Sequence, residues 1–296
     1  MIPSRRIFRV SLPSSGALTL GKRALVMGVL NVTPDSFSDG GKFLDTKRAI
    51  EHALAMERDG ADLLDIGGES TRPGSRGTAA EEELARILPV LEGLRGRVRI
   101  PLSVDTQKFE VAEVAIAAGA EIINDISGSK SDPRIAEVAA RHGVPLILMH
   151  MRGKPRTMQK GSFARDVLRD VTQGLRRSIA TARKAGVRKS QIILDPGIGF
   201  GKSFSQNYEL LRKLPELAKL GFPLLVGTSR KGFLGATLAR DGKPAPPEER
   251  IWGTAATVTA SILGGAHIVR VHDVAEMVQV ARVADCLLDR RNRPRD

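Results

Sequence analysis

Short apolar runs alternate with helix-period stretches along almost the whole chain. The runs cover residues 24–30, 61–66, 100–104, 121–123, 145–149, 191–194, 222–226 and 267–269. Several are rich in Val and Ile and apolar at consecutive positions, as expected of strands covered on both faces. Each run ends in a polar residue and a turn, and helical patterns lie between the runs. Leu84, Ile87, Leu88 and Leu91 share one helical face, as do Val167, Val171, Leu175 and Ile179, and also Val274, Met277, Val278, Ala281, Ala284 and Leu288. Eight strand–helix repeats predict an α/β fold, a single-domain (β/α)8 TIM barrel with parallel strands; a doubly wound open sheet is the alternative.

No Pro-, Ser- or Gly-rich linker divides the chain. The expected layout is an N-terminal extension over residues 1–21, with a hairpin around Ser14-Ser15-Gly16, then a barrel over 22–288 and a basic tail over 289–296. Residues 240–247 read as an exposed loop before a helix beginning near Glu248. In 296 residues, 42% are hydrophobic and 27% charged, which is a globular composition with material for a large core. Cys286 is the only cysteine, so a disulfide scaffold is excluded, and its apolar surroundings suit a packed thiol. There is no apolar run long enough for a membrane helix and no secretory signal pattern, so a cytoplasmic location is expected.

Lys and Arg number 46 against 33 Asp and Glu, a net charge of +13. Such a balance attracts nucleic acid, anionic membranes or anionic small molecules. The basic residues are spread out, and aromatic residues are 4% of the chain, too few for base-stacking platforms. Small anionic substrates are the better match, and neither nucleic acid nor membrane is expected as a partner.

A barrel collects its active site at the C-terminal ends of its strands. The polar residues ending the eight runs are Asn31, Asp65, Asp105, Asn124, His150, Asp195, Ser229-Arg230-Lys231 and Arg270-Val271-His272. One such residue is as readily a turn or helix cap. Together they place acids and amides on the middle strands and Lys231, Arg270 and His272 at strands 7 and 8, where barrels often bind phosphate. Pro196-Gly197-Ile198-Gly199-Phe200-Gly201-Lys202-Ser203 imitates a phosphate-binding loop but has Pro196 where that motif needs Gly. Its glycine spacing also fails the dinucleotide pattern. No Cys/His cluster, G-x-S-x-G elbow or H-E-x-x-H helix is present.

The segments that carry these residues resemble the dihydropteroate synthase family. The first signature matches Asn31-Val32-Thr33-Pro34-Asp35-Ser36-Phe37-Ser38-Asp39-Gly40-Gly41, and the second Asp65-Ile66-Gly67-Gly68-Glu69-Ser70-Thr71-Arg72-Pro73-Gly74. Further matches are Ser103-Val104-Asp105-Thr106, Ile123-Asn124-Asp125-Ile126, Leu148-Met149-His150-Met151, the Asp195–Lys202 segment, Gly227-Thr228-Ser229-Arg230-Lys231-Gly232-Phe233 and Arg270-Val271-His272-Asp273-Val274. They cover residues 22–288 in order. Departures are the basic Arg152-Gly153-Lys154, Ser162-Phe163 in place of a Tyr-rich stretch, and Trp252; none falls on a position assigned to chemistry.

The resemblance implies a transferase of tetrahydrofolate biosynthesis. Its reaction joins (7,8-dihydropterin-6-yl)methyl diphosphate to 4-aminobenzoate, giving 7,8-dihydropteroate and diphosphate. By similarity Asp105, Asn124 and Asp195 read the pterin edge, since a carboxylate accepts parallel N–H bonds and an amide both donates and accepts. Lys231 donates to ring acceptors, Arg270 and His272 hold the diphosphate together with Thr71, and Asn31 coordinates Mg2+ shared with diphosphate oxygens. Asn31, Lys231, Arg270 and His272 are thus the candidate catalytic residues. Phe37, Thr71, Arg72, Pro73 and Ser229 would surround 4-aminobenzoate, and sulfonamides would compete there. The resemblance also implies a homodimer, for which Gly253-Thr254-Ala255-Ala256-Thr257 offers a helix of small residues, although that face equally suits packing on the barrel. Two other readings are a corrinoid methyltransferase barrel, which has no use for diphosphate cations, and a non-catalytic pterin-binding paralogue, which should show losses at the matched positions.

Overall fold

The computed structural model describes residues 5–33, 41–70, 74–75, 77–154, 156–158 and 162–288, with 41–45 as backbone alone. Ten strands form: β1 Phe8–Ser11, β2 Ala17–Leu20, β3 Leu25–Asn31, β4 Leu63–Gly67, β5 Leu102–Asp105, β6 Ile122–Asp125, β7 Leu146–Met149, β8 Ile192–Asp195, β9 Leu225–Val226 and β10 Ile268–Val271. Between them run α1 Gly41–Arg58, α2 Ala80–Leu94, α3 Phe109–Ala117, α4 Arg134–His142, α5 Val167–Lys184, α6 Phe204–Arg212, α7 Leu214–Ala218, α8 Gly232–Thr237, α9 Ile251–Leu263 and α10 Val274–Leu288. Strands β3 to β10 pair in parallel in the order β8-β7-β6-β5-β4-β3-β10-β9. The Leu194–Leu224 bridge, with the Leu194 amide donating to Pro223 O at 2.9 Å, brings β8 to β9 and nearly closes the circle. The barrel expectation is met and the open sheet is excluded.

Side chains alternate across a strand, so each strand feeds two different cores. Val26, Leu64, Ile66, Val104, Ile123, Leu146, Leu148, Ile192, Leu194, Val226 and Val269 pack outward against the helices. Met27, Leu63, Ile122, Ile147, Ile193, Leu225 and Ile268 pack together inside the barrel. The runs are apolar at consecutive positions because both cores are dry at that level. One step of two further along, the inward residues are Asp65, Asp105, Asn124, Met149, Asp195 and Arg270. Most of the polar residues ending the runs therefore lie within the last residues of the strands themselves and face the barrel interior, at the strand ends where they were expected. His150, Ser229, Lys231 and His272 do follow their strands.

The expected hairpin forms from β1 and β2, which pair antiparallel from Phe8–Leu20 to Ser11–Ala17. Its Val10, Leu12, Leu18 and Leu20 join the inner core, and the Ser14 and Ser15 amides donate to Glu121 Oε1 at 2.6 and 2.8 Å just before β6. The hairpin therefore seals the N-terminal mouth of the barrel, and a ligand must enter from the other end. On α9, Thr254, Thr257, Val258 and Ser261 are buried, and a Cβ at Gly253 would meet Leu238 on the adjoining α8 turn at 3.1 Å. Gly253, Thr254 and Thr257 thus serve packing within the fold, while Ala256 is exposed and Trp252 is 79% exposed. Among the described residues, no helix is long and apolar enough to cross a membrane.

Candidate active site

The inward polar layer surrounds one cavity at the C-terminal ends of the strands. Val29, Asp105, Asn124, Ile126, Met149, Asp195, Phe200, Gly227, Ser229, Lys231, Arg270 and His272 line it. Arg270, the third residue of β10, sends Nε to Asp65 Oδ2 at 2.6 Å and Nη2 to Asp105 Oδ2 at 2.8 Å. Asn124 Nδ2 donates to the same Asp65 oxygen at 2.8 Å. A carboxylate only accepts, so this bond fixes the amide orientation and turns Asn124 Oδ1 the other way. Asp65 thus aligns both Arg270 and Asn124, a function that its sequence position does not reveal.

Three buried acceptors in this layer lack a partner: Asp65 Oδ1, Asp105 Oδ1 and Asn124 Oδ1. Each unmade bond costs about 1–3 kcal/mol, so the layer favours a ligand that brings N–H donors. Asp195 is also buried and accepts from the Gly197 amide at 2.7 Å through Oδ1. Burial pushes the Asp105 carboxyl up to about 8, with Arg270 opposing the rise and Asp65 adding to it. Burial likewise raises Asp195. Two carboxylates, Asp65 and Asp105, share one guanidinium, so the layer lacks a full complement of positive charge.

The cations are not segregated in space as they are along the chain. The Arg270 guanidinium lies between the carboxylates of β4 and β5 rather than apart from them. His272 is no cation either: burial, with Arg270 and Arg230 nearby, lowers it to about 3. Its amide donates to Ser229 Oγ at 3.1 Å, and its Nδ1 lies 3.0 Å from the same hydroxyl. In the neutral tautomer whose proton is on Nε2, Nδ1 accepts from the Ser229 hydroxyl, which in turn accepts from the His272 amide. Lys231 is lowered to about 8 by burial, against the attraction of Asp195. Its Nζ donates to Ile198 O and sits 4.2 Å from the Phe200 ring centroid. Between these residues Arg230 adopts φ 57°, held by Asp273 on its side chain and by Arg250 Nη1 on its carbonyl at 2.8 Å. A non-glycine in that region costs of order 1 kcal/mol, and here the turn sets Ser229 and Lys231 on the cavity wall.

Asn31 ends β3, half-buried at the rim. Phe37, Thr71, Arg72 and Pro73 lie outside the described residues. The chain beside that second segment is firmly held. Lys108 Nζ bonds both Glu69 and the buried Glu83, Glu69 Oε1 accepts from the Thr78 amide at 3.4 Å, and Arg86 Nη1 donates to Gly68 O at 2.6 Å. Sequence reasoning missed this cluster, as it missed Phe200. The one available signal for Phe200 was an aromatic residue alone in a Gly-rich loop.

Comparison with known proteins agrees with this geometry. Residues 27–272 match the family described as pterin binding enzyme. A dihydropteroate synthase of a Synechocystis species is 52% identical over 267 residues, covering 90% of this chain and 91% of the relative. That of Bacillus subtilis is 47% identical, with 93% and 92% covered. Among solved structures, the Xanthomonas albilineans dihydropteroate synthase with 4-aminobenzoic acid superimposes with a TM-score of 0.87 at 42% identity, covering 95% of this chain and 98% of that one. The same enzyme in complex with 7,8-dihydropteroate gives 0.84 at 41%, covering 94% and 98%. The Yersinia pestis enzyme in a sulfonamide drug complex gives 0.86 at 42%, covering 95% and 99%.

Proposed function

The chain belongs to the pterin-binding enzymes, with the dihydropteroate synthases as its relatives, and from that premise we propose that it is a transferase joining (7,8-dihydropterin-6-yl)methyl diphosphate to 4-aminobenzoate. The products are 7,8-dihydropteroate and diphosphate. The observation that carries this reading is the buried layer in which Asp65, Asp105 and Asn124 each keep an acceptor without a partner, with the buried Asp195 beside them. A 2-amino-4-oxopterin brings adjacent N–H donors and ring acceptors to match them. Asp105, Asn124 and Asp195 read the pterin edge, and Lys231 has N–H groups to spare for ring acceptors beyond Ile198 O.

Arg270 acts first on the protein, aligning Asp65 and Asp105, and offers Nη1 to the substrate. His272 meets the diphosphate as a neutral donor through Nε2, and the family resemblance adds Thr71 to the residues that hold it. The bond from the exocyclic methylene to diphosphate oxygen breaks, with its electron pair leaving on the diphosphate. The electron-rich pterin supports the resulting positive carbon, and the lone pair of the arylamine forms the new C–N bond. An arylamine is neutral near pH 7, and its surplus proton passes to water, so no covalent enzyme intermediate is needed.

The metal expected from the resemblance is Mg2+. Among the described residues, no three His, Cys, Asp or Glu gather to hold a metal ion. The amide oxygen of Asn31 at the rim fits a hard cation that draws its other ligands from phosphate and water. When bound, Mg2+ would supply positive charge to the departing diphosphate. The wall for 4-aminobenzoate is assigned to Ser229, the Lys231 stem and the segments carrying Phe37, Thr71, Arg72 and Pro73. We assign a cytoplasmic homodimer on the family resemblance, with the exposed Trp252 on an outward stripe shared with Ala256 and Ala260 as a candidate contact.

The test follows diphosphate release with both substrates and Mg2+. 4-Aminobenzoate should bind detectably only after the pterin diphosphate or Mg2+-diphosphate, and sulfonamides should compete with it. No release with both substrates present, or tight 4-aminobenzoate binding to the empty protein, would overturn this reading.

A further inference from the structure

Residues 196–202, between β8 and α6, carry three glycines in left-handed conformation: Gly197 at φ 65°, Gly199 at 84° and Gly201 at 64°. A Cβ at Gly197 would overlap the carbonyl oxygen of His150, and one at Gly201 that of Arg152. A Cβ at Gly199 would come to 2.8 Å from Lys231 Cδ. The loop backbone therefore lies directly on the end of β7 and on the Lys231 stem. A chain so rich in glycine loses more conformational freedom than any other on ordering, and something must hold it.

Lys202 supplies that hold, although it does not line the cavity. It is 2% exposed, and its Nζ has three partners: His150 Nδ1 at 3.2 Å, His150 O at 3.2 Å and Phe200 O at 2.9 Å. Burial, together with Lys202 itself, lowers His150 to about 2, so its ring is neutral. His150 Nε2 faces Asp170 Oδ2 at 3.6 Å and carries the ring proton, leaving the Nδ1 lone pair to accept. All three partners are then acceptors, which matches the three N–H bonds of an ammonium. Burial pulls Lys202 down to about 7, with Asp195 opposing. The three acceptors fit the charged form.

The bond to Phe200 O ties this buried ammonium to the site. The ring of Phe200 covers Lys231 Nζ, and Lys231 Nζ donates to Ile198 O in the same loop. We propose that Lys202 is a positioning residue: by clamping residues 198–200 onto the end of β7 it fixes the Phe200 ring and the Ile198 carbonyl, and through them the Lys231 ammonium that meets the pterin. The proposal rests on the pterin reading given above.

A double-mutant cycle tests it, using pterin binding by calorimetry alongside KM and kcat. Lys202→Met keeps the length of the side chain and removes the donors. It should weaken pterin binding about tenfold, within the range for residues coupled by contact, and raise the KM for the pterin diphosphate more than it lowers kcat. In a Phe200→Ala background the same substitution should cost less than it does in the wild type, because one of the two groups it positions is gone and only the Ile198 carbonyl remains. Additive losses in the double variant, or unchanged pterin affinity in a folded Lys202→Met protein, would overturn the proposal. Should Lys202→Met fail to fold, His150→Leu removes one acceptor and leaves both carbonyl bonds. It should move pterin affinity in the same direction by a smaller factor, and unchanged affinity there overturns the proposal equally. A wild-type chain that binds pterin but does not release diphosphate would refute the assigned reaction and leave this cycle readable.

Discussion

Asp65 and Asp105 share one guanidinium, and the pH dependence of pterin binding should report that shortage. The pterin edge donates N–H bonds, so it needs Asp105 as a carboxylate. In the empty site burial holds that carboxyl up to about 8, and binding below that pH must expel a proton. Each pH unit below the pKa then costs about 1.4 kcal/mol. Affinity should rise about tenfold from pH 6 to pH 7 and about fiftyfold by pH 8, and stop rising above, where Lys231, lowered to about 8, loses its own proton. The assay is titration calorimetry with the pterin alcohol, which lacks the titrating diphosphate, in buffers of different ionisation enthalpy. Nearly one proton should be released per pterin at pH 7. Asp65→Asn removes a neighbouring negative charge, so it should move the plateau to lower pH. Asp105→Asn should abolish the slope and weaken binding by about 1.5–3 kcal/mol, the range for bonds to charged groups. In the empty protein the same proton is kept only by the folded state, so stability should fall as pH rises from about 4 towards 8. Pterin should therefore raise Tm most at the alkaline end. Flat affinity between pH 6 and 8 with no proton release would show that Arg270 keeps both carboxylates ionised, and the reasoning would fail.

Arg270→Met should weaken the pterin alcohol and the pterin diphosphate alike, since Arg270 aligns the acids, whereas His272→Ala should weaken the diphosphate alone, by about 0.5–1.5 kcal/mol for a neutral donor; calorimetry with both ligands separates the two. Gly197→Ala combines positive φ with a Cβ on the His150 carbonyl, so it should lower stability by more than about 2 kcal/mol in denaturant melts. Gly96→Ala, at φ 70° with open space around it, should cost about 1 kcal/mol, and equal losses at both positions would contradict the close approach.

The barrel was legible because eight runs share one design, with a dry level on each strand and then, on most of them, a polar level. Asp105, Asn124 and Asp195 could be picked out for the same reason, since period two brings them to one layer. Arg270 was found but its protein contacts were not: its long stem carries the guanidinium across the barrel to carboxylates 165 and 205 residues away in the chain. His272 looked cationic because sequence carries no measure of burial. Lys202 and Phe200 were hidden by a loop that imitates a phosphate-binding motif, and its purpose depends on left-handed glycines packed against β7. Glu69, Glu83 and Lys108 meet from three separate elements, so no local spacing announces them.

The two ends of the chain are fastened to each other. Arg5 donates to Ala266 O at 3.1 Å and pairs with Asp285, which also accepts from the Ala24 amide at 2.9 Å, and β3 finds its second neighbour only in β10. A ribosome adds roughly 5–20 residues per second, so β3 leaves one edge unpaired for roughly 10–50 s before its partner is made. An open strand edge invites pairing with other chains. The fold therefore cannot be completed piecemeal during translation: a stalled chain ending before residue 268 should stay protease-sensitive and prone to self-association, and resistance appearing with the earlier strands alone would contradict this. Nearly the whole polypeptide must emerge before any of it is secure.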